Sequence, residues 1–347
     1  MRKEILKRLI ISITIATHNT TCEMPKLAYL LAASHSGSTL LAMLLGAQPG
    51  ACTTGELKAT HLGNPDSYRC SCRERISDCG FWQDITRAML RRGINDFNIT
   101  NAGTSLYEAK SSYVQRLLAP LYRGPRLEMV RDLGLSLSSE WRSLLSDTKR
   151  RNLALIEAVL EVTGAGVVID SSKAALRLKY LLQIPGLEIK VIRVIRDGRA
   201  VSLTYTDEWK FADSTDPAFR GGGCGKSQQT LRRSMAEAAN EWKRSNEAAD
   251  ALIATLPRSQ WDEVRYEELC TNPKDTIKRL ATFLELDNRQ THIDYRAVCQ
   301  HVIGNGMRMD LTSDICRDDR WRNILSEDSL NVFESVAGRL NRRYGYN

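Results

Sequence analysis

An apolar run of strand length, followed at once by a turn of small residues and a helix, most constrains how this chain can fold. The run covers residues 27–33, the turn Ser-His-Ser-Gly-Ser-Thr covers residues 34–39, and apolar helical spacing continues from residue 40 to residue 45. In this order, successive backbone N–H groups and the positive end of the helix dipole can point at one anion. The sequence therefore predicts a phosphate-binding loop.

The loop differs from the Walker loop of ATP-binding proteins, which ends in Gly-Lys-Ser/Thr and uses the lysine to contact the β- and γ-phosphates. His35 precedes the Ser-Gly-Ser-Thr stretch, and no acidic strand end is evidently devoted to a magnesium ion. The loop thus favours a phosphate-like anion over an ATP–Mg²⁺ complex. The alternative is a helix that Ser36 or Ser38 caps without any ligand.

A second strand, turn and helix occupies residues 190–205. The β-branched strand ends at Arg196, in the turn Arg-Asp-Gly-Arg. In parallel α/β sheets, ligands bind outside the carboxyl ends of strands, and a guanidinium offers a fixed fork of donors to a phosphate. We predict that Arg196 binds a second anionic group, together with the hydroxyl of Ser202 or Thr204. The alternative is a surface turn in which Arg199 pairs with an acid.

Two anion-binding turns on one sheet, without a Walker lysine, fit a nucleotide that is phosphorylated at both ends. Here the chain resembles the sulfotransferases that use 3′-phosphoadenylyl sulfate (PAPS). Residues 35–40 are similar to the 5′-phosphosulfate loop of that family, and residues 196–204 are similar to its 3′-phosphate element. The sequence Arg-Asp-Gly-Arg-Ala in the second segment is most similar to that of the tyrosylprotein and Golgi carbohydrate sulfotransferases. The resemblance implies that PAPS, the sulfuryl donor, is bound by the following residues: His35, Ser36, Gly37, Ser38, Thr39, Leu40, Arg196, Ser202 and Thr204. The chain departs from the family where His35 replaces a lysine or arginine and Thr204 replaces a serine.

The resemblance continues along the chain from about residue 26 to the C-terminus. Glu56 stands at the spacing where tyrosylprotein sulfotransferases place a catalytic base, and Lys173 closes another apolar strand. Tyr266 matches a tyrosine that lies near the adenine in the family. Arg308 and the stretch 320–322 resemble a late loop that closes over the 3′-phosphate.

Strands that alternate with helices predict a parallel sheet covered on both faces. The fold class is α/β: a P-loop-like three-layer α/β/α architecture with a central parallel sheet. We interpret residues 1–25 as an N-terminal extension and residues 26–347 as one sulfotransferase domain, with a helical insertion at 83–160 that shapes acceptor choice. Residues 213–229, rich in Gly, Asp and Ser, are typical of a mobile loop.

The resemblance implies transfer of a sulfuryl group from PAPS to an acceptor hydroxyl, with adenosine 3′,5′-bisphosphate as product and no metal required. Such a reaction needs positioning, charge stabilisation and a base. We assign the base to Glu56, with His61 as a fallback, while His35 and Lys173 stabilise charge on the sulfate. The expected acceptor is a carbohydrate or glycolipid. Alternatives are a phenol or protein tyrosine, an ATP-dependent kinase, and a non-catalytic member that binds the nucleotide without turnover.

Composition sets few further limits. The 49 basic and 41 acidic residues give a net charge of +8, which can attract a polyanionic cofactor or an acidic acceptor. No stripe of basic and aromatic residues indicates nucleic-acid binding. The apolar run at residues 9–16 is too short to span a bilayer and lacks a clean cleavage site. We therefore expect no transmembrane segment and a cytoplasmic location; the sequence does not indicate the oligomeric state.

Three of the nine cysteines lie close together in sequence: Cys70, Cys72 and Cys79. Three thiols within about ten residues can bind Zn²⁺ with a fourth ligand such as His61, or form one disulfide. The spacing alone leaves both alternatives open, and similar segments in bacterial sulfotransferase-like proteins suggest a structural element.

Overall fold

The structure is a computed structural model, and it describes residues 24–58, 62, 66–211 and 232–347. The predictions for almost all of the N-terminal extension, for His61 and for the loop at 213–229 lie outside these residues.

Five strands form one sheet in which every neighbouring pair is parallel, in the order β2-β3-β1-β4-β5. The strands are β1 (Lys26–Ala32), β2 (Ala51–Gly55), β3 (Val167–Lys173), β4 (Glu188–Ile195) and β5 (Trp261–Arg265). The central strand β1 is buried from residue 27 to residue 32, which is why its sequence is almost continuously apolar. The predicted three-layer α/β fold with a parallel sheet is confirmed.

Alternation of side chains along β1 divides the core between the two faces of the sheet. Leu27, Tyr29 and Leu31 belong to the cluster that also holds Ile85 and Leu155. The intervening residues of β1 belong to a second cluster on the opposite face, with the helices that follow β1 and β5. The sheet is therefore the middle layer of three.

The α-helices of the described residues connect and cover these strands. They are α1 (Ser38–Gly46), α2 (Gly80–Arg91), α3 (Ser112–Leu118), α4 (Pro125–Leu137), α5 (Ser139–Thr163), α6 (Ala175–Leu181), α7 (Gly198–Thr206), α8 (Glu208–Phe211), α9 (Met235–Ile253), α10 (Tyr266–Thr271), α11 (Pro273–Phe283), α12 (Trp321–Ile324), α13 (Glu327–Phe333) and α14 (Arg339–Arg343). Short 3₁₀ turns lie at Arg258–Gln260 and Gly306–Met309, and a π-helical turn at Glu334–Gly338 joins α13 to α14.

Two elements differ from the sequence reading. Residues 51–55 form an edge strand that is not predicted from the sequence, because a strand this short, with glycines at positions 50 and 55, has little periodicity to detect. The helical region at 83–160 contains four helices, α2 to α5, but irregular chain separates α2 from α3. Among the described residues, none of the helices combines the length and apolar character needed to cross a membrane.

Candidate functional site

The two predicted anion-binding turns lie side by side at one edge of the sheet. They follow β1 and β4, which are neighbours, and parallel strands end at the same edge. One guanidinium nitrogen of Arg196, Nη1, donates a hydrogen bond to the backbone oxygen of His35 at 2.7 Å. The structure therefore brings the two turns into direct contact.

The turn before α1 has the backbone geometry of a phosphate loop. Gly37 adopts the left-handed conformation (φ 83°) and precedes the first residue of α1. A Cβ at Gly37 would lie 2.4 Å from Cδ2 of Tyr266, so any other residue would clash with that ring. The residue at the capping position is Gly37, so the predicted alternative of a serine-capped helix is not observed. The first N–H groups of α1 thus remain for another acceptor.

A cavity of about 640 Å³ opens beside this turn. Its walls are the start of α1, Arg196, Thr204 of α7, Tyr266 of α10, and a late segment that runs between residues 305 and 320. We call it the donor cavity. The predicted site residues that line it are His35, Gly37, Ser38, Thr39, Leu40, Arg196, Thr204 and Tyr266.

Arg196 is buried and already engaged by a carboxylate. Its Nη2 atom lies 2.9 Å from Oδ2 of Asp318, and its guanidinium stacks on the ring of Tyr266 at 4.2 Å. Arg320, from the same segment, also pairs with Asp318. Burial raises the pKa of Asp318, but the hydrogen bond from Arg320 and the charge of Arg196 outweigh burial and hold it well below its usual range. The carboxylate of Asp318 thus lies where an anion would meet Arg196.

Three residues predicted to bind the donor are not among the described residues that line this cavity. Ser36 and Ser202 are almost completely buried. Arg308 is fully buried and donates its Nη atoms to the backbone oxygens of Gly304, Asn305 and Arg69 at 2.7 to 3.0 Å. Its guanidinium therefore holds the late loop together.

Arg199 behaves differently from Arg196, although both belong to the same turn. It pairs with Asp197 at 2.8 Å and stacks on Trp321 at 4.1 Å. The predicted alternative, in which Arg199 pairs with an acid, is therefore observed for this arginine, while Arg196 lines the donor cavity.

The environment of His35 favours the neutral imidazole. Burial, together with the positive charges of Lys173 and Arg196, lowers the pKa of His35 to about 3. Its ring packs edge to face on Tyr205, with 5.0 Å between centroids. At neutral pH this side chain can donate one hydrogen bond but carries no charge.

Glu56 and Lys173 meet at the carboxyl ends of β2 and β3. Nζ of Lys173 lies 2.5 Å from one carboxylate oxygen of Glu56, and Nζ of Lys58 lies 2.8 Å from the other. Burial raises the pKa of Glu56, but the two ammonium groups outweigh burial and hold it well below its usual range. Lys173 itself has a left-handed backbone (φ 70°), so the chain bends sharply at the end of β3.

A second cavity, of about 620 Å³, adjoins the same edge of the sheet. It includes Ala32, the last residue of β1, and Ala174, which follows Lys173 directly. Apolar side chains from α3, α4, α6 and α9 form most of its wall: Leu118, Met129, Leu176 and Leu252. Charged residues in its lining pair with each other, as Arg131 does with Glu128 and Lys179 with Asp132. We call it the acceptor cavity, because the helical region that is predicted to shape acceptor choice supplies part of its wall.

Sequence reasoning missed several residues of the site. Lys210, Arg317 and Asp318 line the donor cavity, and Lys58 completes the pair at Glu56. The four consecutive charged residues Arg-Asp-Asp-Arg at 317–320 were the sequence feature from which a role of Arg317 and Asp318 in the site could have been predicted. The cysteine cluster was predicted with His61 as a possible partner, whereas the structure places His301 beside Cys70 and Cys79.

The sequence profile described as the Sulfotransferase family matches residues 29–290, about three quarters of the chain. The chain belongs to the Sulfotransferase family. The matched range includes the phosphate loop, Glu56, Lys173, Arg196 and Tyr266, and membership of this family supports sulfuryl transfer in general.

Solved sulfotransferases give similarities of low identity. The sulfotransferase domain of the curacin biosynthetic pathway is 14% identical, with 94% of this chain and 99% of that chain covered and a TM-score of 0.48. The sulfotransferase domain of the olefin synthase from Synechococcus PCC 7002 is 16% identical (93% and 95% covered, TM-score 0.45), and a sulfotransferase from Mycobacterium avium is 12% identical (94% and 78% covered, TM-score 0.44). No curated protein matches the chain significantly in sequence.

Proposed function

We propose that this protein transfers the sulfuryl group of PAPS to a hydroxyl on an acceptor with an apolar body, a glycolipid or a phenol. One observation carries the proposal: a single cavity has an uncapped helix N-terminus on one wall and the buried guanidinium of Arg196 on another. These are two separate places for anionic groups, as a nucleotide phosphorylated at its 5′ and 3′ positions requires.

The 5′-phosphosulfate is assigned to the start of α1. The N–H groups of Ser38, Thr39 and Leu40 belong to the first turn of that helix and have no partner within it. All three residues line the donor cavity, and the helix dipole adds a partial positive charge at the same point. The hydroxyls of Ser38 and Thr39 supply further donors.

The 3′-phosphate is assigned to Arg196, with the hydroxyl of Thr204 beside it. In the described structure Asp318 occupies the position of the counter-ion. A phosphate must therefore displace that carboxylate, or accept the guanidinium donors from another side. Arg317 and Arg320 also line the cavity and can neutralise the phosphate once Asp318 moves.

The transfer breaks the bond between sulfur and the bridging oxygen of the phosphosulfate and forms a bond from sulfur to the acceptor oxygen. The leaving group is adenosine 3′,5′-bisphosphate, and the proton of the acceptor hydroxyl passes to the carboxylate of Glu56. The charge on the equatorial oxygens resembles that in phosphoryl transfer, so positioning and electrostatic stabilisation supply most of the catalysis.

In this scheme the ammonium group of Lys173 can donate hydrogen bonds either to the carboxylate of Glu56 or to the sulfuryl oxygens. While it pairs with Glu56, the carboxylate is a weak base. When the sulfuryl oxygens enter, the ammonium of Lys173 can turn to them, and the pKa of Glu56 then rises toward its ordinary value. One movement would stabilise the transferred group and activate the base.

His35 would donate a hydrogen bond to the bridging oxygen of the phosphosulfate. Its low pKa reflects burial and the positive charges of Lys173 and Arg196. The negative charges of the bound donor oppose these cations, so they raise the pKa of His35 and favour its protonated form. The lysine or arginine usual at this position in the resembled family would be charged without that help.

The acceptor cavity favours an acceptor with an apolar body. Its lining is mainly apolar, and it reaches Ala174 beside Lys173. Lys173 and Glu56 are not among the described residues that line either cavity, so in this proposal the acceptor hydroxyl extends past Ala174 to reach them. Helices α3 and α4, which form part of the wall of the acceptor cavity, belong to the region 83–160. We therefore propose that residues 26–347 are one domain in which this helical insertion shapes acceptor choice.

The test is transfer of label from [³⁵S]PAPS by the purified protein to a panel of glycolipids, phenols, tyrosine peptides and free sugars. We expect labelled product with glycolipids or phenols, and no reaction with ATP and Mg²⁺ in place of PAPS. Calorimetry with adenosine 3′,5′-bisphosphate runs in parallel. Binding without transfer to any acceptor would indicate a non-catalytic member, and transfer from ATP would indicate a kinase; either result would refute the proposal.

A further inference from the structure

Three thiols and one imidazole converge at a point that the proposed reaction does not use. The Sγ atoms of Cys70, Cys72 and Cys79 and a ring nitrogen of His301 all lie within 4.8 Å of one another. Sγ of Cys79 is 3.6 Å from Sγ of Cys72 and 3.3 Å from Nδ1 of His301, and Sγ of Cys70 is 3.7 Å from the same nitrogen. The segments that carry these residues are more than 200 positions apart in sequence.

We propose that Cys70, Cys72, Cys79 and His301 bind one structural zinc ion. Zinc prefers tetrahedral sets of thiolate and imidazole, with about 2.3 Å to sulfur and about 2.0 Å to nitrogen. In such a tetrahedron sulfur atoms lie about 3.8 Å apart, and sulfur lies about 3.6 Å from nitrogen. Three of the six distances among the four ligand atoms, 3.3 to 3.7 Å, are close to these edges, and the others are at most 4.8 Å, so modest side-chain movement would close a tetrahedron around a zinc ion.

The orientation of His301 supports the same assignment. Its ring stacks in parallel on Phe81, with 4.5 Å between centroids and 3° between planes. This packing directs Nδ1 toward the thiols and leaves Nε2 facing Sγ of Cys299 at 3.7 Å. A metal-bound histidine commonly uses its second nitrogen to donate a hydrogen bond to a neighbour, and Cys299 is that neighbour here.

Burial and local structure are those of a closed site. Cys70 and Cys79 are 0% and 1% exposed, while Cys72 is half-buried. All four tetrahedral positions are taken by side chains, so no position remains for water or substrate, and the ion would stabilise structure without taking part in the transfer. Each of the seven cysteines within the described residues is a free thiol, so no disulfide competes for these sulfurs there.

The zinc site would fasten the cysteine segment to the late loop at 301–309. Hydrogen bonds already join the two: Ser71 N–H to the oxygen of Val302 at 3.2 Å, and Gly304 N–H to the hydroxyl of Tyr68 at 2.7 Å. A Cβ on Gly304 would lie 3.1 Å from Cγ of Glu56. Zinc binding would therefore fix the loop that packs against Glu56.

The same loop continues into the wall of the donor cavity through Asn305 and Met307. Loss of zinc is thus expected to loosen one wall of that cavity as well as the packing at Glu56. The metal assignment itself is independent of the donor and the acceptor, because it rests only on the four side chains.

The first experiment measures metal in the wild-type, full-length protein, which avoids any variant that fails to fold. The protein is reduced, incubated with zinc and freed of excess metal, and its content is read by mass spectrometry. We expect a single zinc ion per chain and a higher melting temperature than after chelation. Replacement by Co²⁺ should give the visible absorption of a tetrahedral site and a near-ultraviolet thiolate band. Wild-type protein that retains no zinc after this treatment would overturn the proposal.

Variants then assign the ligands. Cys72→Ser, at the more exposed thiol, and His301→Ala should each lose the zinc on gel filtration, whereas the matched control Cys52→Ser, at a half-buried free thiol outside the cluster, should retain it. Full zinc content in Cys72→Ser, or a thiol titration of the untreated protein that shows a disulfide among Cys70, Cys72 and Cys79, would contradict the zinc site. Neither result would affect the test of sulfuryl transfer, which is measured separately.

Discussion

The sharpest prediction concerns Arg196, because one guanidinium is assigned to the 3′-phosphate and is paired with Asp318 before the nucleotide binds. We expect Arg196→Ala to weaken the binding of adenosine 3′,5′-bisphosphate. Hydrogen bonds to charged groups contribute roughly 1.5–3 kcal/mol each. Arg196 would make two such bonds to the phosphate. Their contribution to the binding free energy is reduced, because the ion pair between Arg196 and Asp318, at 2.9 Å, must first be broken.

The net loss is therefore about 2–3 kcal/mol, which corresponds to a dissociation constant roughly 30- to 150-fold higher. Titration calorimetry measures this change directly. The matched control is Arg199→Ala, since Arg199 belongs to the same turn but pairs with Asp197. The control should bind the bisphosphate with wild-type affinity.

The double variant Arg196→Ala/Asp318→Asn separates two contributions to bisphosphate affinity: the attraction of the phosphate by Arg196 and its repulsion by Asp318. Without Arg196, the carboxylate of Asp318 remains near the phosphate position and repels it, so removing its charge should recover part of the lost affinity. Circular dichroism and thermal melting establish that each variant is folded. If folded Arg196→Ala binds the bisphosphate within about twofold of the wild type, the assignment of the 3′-phosphate to this side chain is refuted.

Three further predictions follow from the same geometry. Glu56→Gln keeps the shape of the side chain but removes the base, so kcat should fall about 10²- to 10⁴-fold while bisphosphate affinity stays unchanged; an unaltered kcat would exclude Glu56 as the base. Leu176→Asp places a charge in the acceptor cavity and should raise KM for apolar acceptors without changing bisphosphate affinity, and equal KM values would place the acceptor elsewhere. His35 has a folded-state pKa lowered from 6.5 to about 3, so below pH 6.5 the unfolded chain binds a proton that the folded protein does not, and stability falls as the pH decreases. Melting temperatures of His35→Gln should therefore fall less steeply over that acid range than those of the wild type, and parallel curves would contradict the low pKa.

The fold and the short-range parts of the site could be predicted from the sequence. Buried strands are read from continuous apolar runs, and a phosphate loop is a contiguous stretch whose backbone geometry follows from Gly37 and the helix after it. The edge strand β2 was missed because its five residues carry too little pattern.

Within the site, the sequence by itself determined which chemical groups stand at the ends of the strands, because those groups are fixed by position along the chain. Only the tertiary structure decided their partners: Asp318 for Arg196, 122 residues away; Lys173 for Glu56, 117 residues away; and His301 for Cys79, 222 residues away. These pairings depend on the path of the whole backbone around the sheet, which no local pattern encodes. They also set the charge state of Glu56 and His35, since a pKa depends on the groups that surround a side chain in space.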